Sequence, residues 1–231
     1  MKRSWKSIDL VLSGAGLLRS SAHSQGMAVA WYRTQATDRQ VSFWVRLASK
    51  PVLRVVTVEI GWSHEFAREF CIRFLRDDWP KGAEWLEATG VLSQPCLSMF
   101  NLGDYFNWPR HGVTVNETGE PDVEALSAVV AAAIEQNWNA ATSKRLLATL
   151  ASNAPPFEWF RTNAVVRLTE IAGLRAYVGA SSSVVRGILT EHRDVIGASA
   201  FGMEDVDAWA KQLVARSETV RADAGHAMRD E

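Results

Sequence analysis

Gln40-Val-Ser-Phe-Trp-Val-Arg-Leu-Ala48 and, after a short connection carrying Pro51, Leu53-Arg-Val-Val-Thr-Val-Glu-Ile60 decide the fold. In the first run Val41, Phe43, Val45 and Leu47 alternate with Ser42, Trp44 and Arg46, the period of two expected of a strand. The second is rich in β-branched residues and places Val56, Val58 and Ile60 on one face. Ala28 to Arg33 reads as a third, aromatic strand. The connections at 35–39 and 49–52 are too short for a crossover helix, so the spacing predicts an antiparallel meander.

Beyond the meander the period changes. Phe66, Phe70 and Phe74 recur four apart over residues 63–77, with Ala67, Cys71 and Leu75 on the adjacent row and charged residues opposite. Ser63 is the expected N-cap, Pro80 the expected stop, and the aromatic stripe is expected on the apolar face of the meander. Upstream, Trp5, Ile8, Leu12 and Ala15 share a helical face over residues 4–13, and Gly14 and Gly16 end it. Asp9 and Arg19 interrupt the apolar run, which favours a docking helix over a secretory signal.

Downstream, residues 83–89 read as a short helix, and 95–100 and 113–115 as strands. Asn116-Glu-Thr-Gly-Glu-Pro121 reads as a boundary. Helices are expected over 122–136, 142–151, 162–178, 183–192 and 204–214, and the polar tail from Ser217 is expected to fray. The expected class is α+β: an antiparallel sheet of three to five strands with helices packed on one face, then a mostly helical C-terminal half. Residues 1–116 form the sheet-and-helix part and 117–231 the helical part, either separate or sharing one core.

The 231 residues are 47% hydrophobic, enough for a real core. The net charge of -1 hides a polarity: residues 1–80 carry +5, residues 81–160 carry −5 and residues 161–231 carry −1. No whole-chain basic field points to nucleic acid, and the acidic middle third suits a basic protein partner. No stretch approaches the ~18 apolar residues that a membrane span requires. Cys71 and Cys96 form no CxxC pair and no disulfide framework; they read as small buried hydrophobes in a reducing, cytoplasmic setting.

Familiar chemistry fails residue by residue. His64-Glu65 would open a zinc-protease helix only with a second His at position 68, where Arg stands; His64 then reads as a surface residue of the first turn. Ser13-Gly-Ala-Gly16 follows a helix and lacks the strand that a dinucleotide loop needs, so it reads as helix termination. Gly179-Ala-Ser-Ser-Ser183 has no phosphate-binding lysine and reads as serine N-capping. Acidic residues form no E-x-x-H array, so no metal, cofactor or catalytic set is assigned. The tryptophans Trp44, Trp62, Trp79, Trp85 and Trp209 read as packing residues at element edges and apolar faces. Tyr105, Trp108, Arg110 and His111, in a loop rich in Gly, Asn and Pro, form the candidate contact cluster, since aromatic residues and arginine dominate interface hot spots.

Ala30-Trp-Tyr-Arg33, Val41-Ser-Phe-Trp-Val-Arg46, Val55-Val-Thr-Val-Glu-Ile60, the helix bearing Cys71-Ile-Arg-Phe-Leu75 and the following Trp79 together resemble a group of small bacterial domains of unknown function with the same helix–meander–helix plan. Some of those domains are thought to act as immunity proteins for toxins. The resemblance covers roughly the first hundred residues and lacks the polar Gln-Lys-Ser stretch usual in the strand, so it implies a plan and no functional residue. Two readings follow. The first is a non-enzymatic protein-binding module, immunity-like or regulatory. The second is a small-ligand binder or enzyme without a familiar motif, its pocket between sheet and C-terminal helices, lined by His111, Glu117 or His192.

Overall fold

A computed structural model describes residues 6–21, 29–35, 39–50, 52–105, 112–116, 121–137, 142–154, 158–159 and 163–227. It shows an antiparallel sheet in the N-terminal half and a mostly helical C-terminal half, as the patterning predicts. Two units are formed, each from two stretches of chain: Met1–Trp62 with Met99–Thr142, and Ser63–Ser98 with Ser143–Glu231. They interleave along the sequence, a division that differs from the expected partition at 116/117.

The first unit holds α1 (Lys6–Gly14), β1 (Leu18–Arg19), β2 (Val29–Gln35), β3 (Val41–Lys50), most of β4 (Val55–His64), β5 (Met99–Asn101), α4 (Leu102–Tyr105), β6 (Val113–Thr114) and α5 (Val123–Asn137). Strand order is β1-β2-β3-β4-β5, with β6 also on β4. The sheet thus has six strands, one more than the three to five expected: β6 falls within the strand read at 113–115, whereas the two-residue β1 is too short to show as a periodic run. Register pairs Trp31 with Arg46 and Tyr32 with Val45. That sends Val41, Phe43, Val45 and Leu47 into the core at 1% exposure or less. From α1, Ile8 and Leu12 are buried too, and Asp9 accepts a 2.6 Å hydrogen bond from the Tyr32 hydroxyl. Gly16, at φ +80°, makes the left-handed turn that ends α1.

The second unit is helical: α2 (Glu65–Asp78), α3 (Pro80–Ala88), α6 (Ser143–Ala151), α7 (Ala164–Val178), α8 (Ser183–Glu191), α9 (Arg193–Ser199) and α10 (Val206–Ala227). Its axis is α7, whose residues Ala164 through Ala176 are all buried. The α2 stripe, expected on the sheet, has α7 as a partner: a Cβ at Gly173 would stand 2.8 Å from Phe70 Cδ1, so only glycine lets Phe70 lie this close.

Three local expectations are corrected. The α2 cap is His64, whose Nδ1 accepts from the Ala67 amide, and not Ser63. Pro80 opens α3 as its first residue, where its missing N–H costs nothing, and does not merely stop α2. The chain from Ser217 continues α10 to Ala227, with Ser217 wholly buried under a hydrogen bond from Arg175.

Candidate functional site

A groove lies within the helical unit, between α8, α9 and α10. It encloses about 660 Å³. From α10 come Val206, Asp207, Ala210, Lys211, Val214, Ala215 and Glu218, one stripe over three turns, roughly 18 Å at 1.5 Å per residue. Leu189 of α8 and Ile196 of α9 complete an apolar floor. The other row of α10, Trp209 and Leu213, is buried at 3% and 0% and anchors the helix, with Trp209 against Phe74. Two adjacent apolar rows on one helix therefore do separate jobs: one fixes α10, the other faces the groove.

Ion pairs mark both ends of this groove. Arg193 donates to both Asp207 carboxylate oxygens, at 2.7 and 3.3 Å, and Arg186 meets Glu218 at 3.4 Å. The Arg193 pair holds the Asp207 carboxyl below its usual value. Asp205 caps α10, its carboxylate accepting from the Asp207 and Ala208 amides. Among the groove residues, three cations face two carboxylates, and each carboxylate already has an arginine. Lys211, exposed on the rim, carries the remaining positive charge.

The sequence candidates fall elsewhere. Trp108, Arg110 and His111 lie outside the described residues, as does Glu117; of Tyr105 only the backbone, ending α4, is described. His192 does not line this groove: its ring stacks on Trp159 at 5.1 Å. Trp44, Trp62, Trp79 and Trp209 are buried as expected, whereas Trp85 is 48% exposed. Part of the charge polarity closes within the helical unit, since Arg76 of the basic third pairs with Glu87 of the acidic third.

His64 is the main correction among the titratable groups: it is 3% exposed, not a surface residue. Its Nδ1 lone pair accepts the Ala67 amide, which leaves the proton on Nε2, 3.1 Å from Ser143 Oγ. Nε2 therefore donates to Ser143, and this buried Ser–His pair has no lone pair ready to take the serine proton. The hydroxyls ahead of α8 behave as a turn: Ser181 Oγ accepts from the Ser183 amide, while Ser182 at the cap makes no capping bond. Cys71 and Cys96 are buried free thiols, and burial pushes both above the usual thiol range. Among the described residues, no three His, Cys, Asp or Glu side chains stand close enough to hold a metal ion, and no helix is long and apolar enough to cross a membrane.

A further buried cluster surrounds Glu170 of α7. Its carboxyl accepts from the Ser98 hydroxyl, and burial pushes its pKa up to about 7 against the pull of that bond and of Arg68 and Arg167. The groove was legible only as a second apolar row, Val206, Ala210 and Val214 spaced four apart, beside the Trp209–Leu213 row that draws the eye. The chain matches no protein-family model, no curated protein and no solved structure.

Proposed function

We propose that this chain is a non-enzymatic protein-binding module whose helical unit takes an amphipathic helical segment of a partner into the α8–α9–α10 groove. The observation that carries this reading is the apolar floor of Val206, Ala210 and Val214, about two turns of α10, with Leu189 and Ile196, bracketed by the Arg193–Asp207 and Arg186–Glu218 pairs. Helix-in-groove recognition uses anchors at i, i+3 or i+4, and i+7, and this floor has the length to meet them. Lys211 gives the partner its polarity: it is exposed on the rim beside Asp207, and an acidic residue flanking the partner's apolar stripe would meet that cation there. An immunity-like role, neutralising by capture, is the form of this reading that the N-terminal resemblance supports, and two reduced, buried cysteines suit a cytoplasmic setting.

The test is fluorescence anisotropy of a labelled model helix of about 14 residues with a leucine stripe and a flanking glutamate. The expected result is saturable binding that Ala210→Trp weakens about tenfold or more by filling the floor. Equal affinity for the Ala210→Trp chain would remove the groove from the reading.

A second reading draws on the groove's size: about 660 Å³ lies within the span of small-ligand pockets. Thermal stabilisation by an amphipathic small carboxylate, lost in Ala210→Trp, with no response to the model helix, would favour this reading over the first.

A further inference from the structure

His64 closes β4 and stands at the head of α2, so one ring serves two elements. It is 3% exposed. On one side Nδ1 accepts the Ala67 amide at 3.2 Å, the bond that caps α2. On the other, Nε2 lies 3.1 Å from the hydroxyl of Ser143, a buried residue that opens α6. Tyr177 of α7 packs edge-on against the ring at 4.6 Å, and Phe66, in the first turn of α2, packs on Tyr177 at 5.5 Å.

We propose that His64 is an acid-operated switch at the head of α2, which holds the first turn while its ring is neutral and releases it when the ring takes up a second proton.

The Ala67 amide can only donate, so the cap needs a lone pair on Nδ1. A neutral imidazole with its proton on Nε2 supplies one. An imidazolium carries N–H on both nitrogens, and its Nδ1–H would stand donor against donor with the Ala67 amide. Burial and the positive end of the α2 dipole oppose that cation further. Ser143 from α6 and Tyr177 from α7 face the ring with a hydroxyl and an aromatic ring. Along the chain the nearest charged residues are Glu65 on α2 and Lys144 on α6, both exposed. Arg68, one turn into α2, donates to the Leu92 and Gln94 carbonyls.

Uptake of the second proton therefore turns the ring out of the cap. The Ala67 amide loses its acceptor, and the first turn of α2, with Phe66 on it, loosens. Imidazoles in water take up that proton near pH 6.5, so the switch acts between about pH 7.5 and about pH 5. The cap is whole at the upper value and lost as pH falls. His64 takes no part in the α8–α9–α10 groove, and the switch stands or falls without it.

Amide exchange of the full chain, read by NMR at about pH 7.5 and about pH 5 and corrected for the intrinsic chemical rate, tests it. Protection of the Ala67 amide is expected to fall about tenfold or more at the lower pH, while amides of α10 keep theirs. In the same samples the His64 ring is expected to carry its proton on Nε2 alone at the upper pH and on both nitrogens at the lower. His64→Asn, a residue that caps helices and does not titrate, is expected to hold the Ala67 protection at both values. A proton on Nδ1 at the upper pH, wild-type protection that does not change, a loss of equal size in α10, or the wild-type response retained in His64→Asn would each overturn the switch. Should His64→Asn not fold, the wild-type ring and amide decide together: loss of Ala67 protection without double protonation of His64 would overturn it.

Discussion

On the sheet, Arg46 lies 5.8 Å over the Trp31 ring and pairs with Glu59 at 2.5 Å, with 22% of its side chain still in solvent. In the helical unit, Arg167 and Arg175 are fully buried, and their guanidinium groups donate to the carbonyls of Leu150, Ser152 and Ala180 and to the Ser217 hydroxyl. The difference follows from geometry. A strand sends alternate residues to opposite faces, so Arg46 is delivered to the face of the buried Trp31 and Trp44, where part of its own side chain still reaches water. A helix buried all round has no such side, and every polar residue on α7 must find a partner inside. Each unit therefore places its polar groups by its own periodicity, and the cost of removing one differs accordingly.

The strongest way to break the comparison is Arg167→Ala. It leaves the Leu150 and Ser152 carbonyls without their donor and uncovers the Trp159 ring, so urea unfolding should show a loss on the order of 3 kcal/mol or more. A loss under 1 kcal/mol would mean that water replaces the guanidinium at little cost.

Next comes the pH dependence of Glu170. Its folded pKa, about 7, stands above the ordinary 4.5, so the stability due to the neutral carboxyl is fully present below pH 4.5 and is lost as pH rises through 7. Relative to the wild type, Glu170→Gln should therefore gain with rising pH, by about 3 kcal/mol across that window. Parallel stability curves for the two proteins would contradict the burial of a titrating carboxyl.

Smaller again is Gly173→Ala. Alanine favours helix by about 1 kcal/mol, but its Cβ would meet Phe70 at 2.8 Å, and overpacking should win with a net loss of roughly 1–2 kcal/mol in thermal or urea unfolding. A gain would show that α2 and α7 separate without cost. The smallest effect is expected for Arg46→Ala on the sheet. This partly solvated pair should contribute about 1 kcal/mol or less, diminishing with salt.

Legibility follows the same physics. The alternation through Val41–Leu47 and the Phe66–Phe70–Phe74 stripe were readable because one face of each element repeats at its own period, and both elements form where expected. In α7, the stripe of Val165, Leu168 and Ile171 marks the helix but says nothing of Arg167, Glu170 and Arg175. Their burial depends on residues far along the chain, such as Ser98 and Ser217, that no local period reveals. His64 was misplaced for the same reason, since its partner Ser143 lies 79 residues on. The aromatic loop candidates Trp108, Arg110 and His111 remain an expectation from composition, outside the described residues. The groove was missed because Ala210 and Val214 are small and sit beside the more conspicuous Trp209 and Leu213.

The proposed seat of a partner helix is the α8–α9–α10 groove. Amide chemical-shift mapping of the isotope-labelled chain, titrated with the glutamate-flanked model helix, tests it most directly. Shifts are expected to concentrate at Leu189, Ile196, Ala210, Lys211 and Val214, with none of comparable size in β3 or β4. Shifts centred on the sheet, with those five residues unmoved, would contradict it.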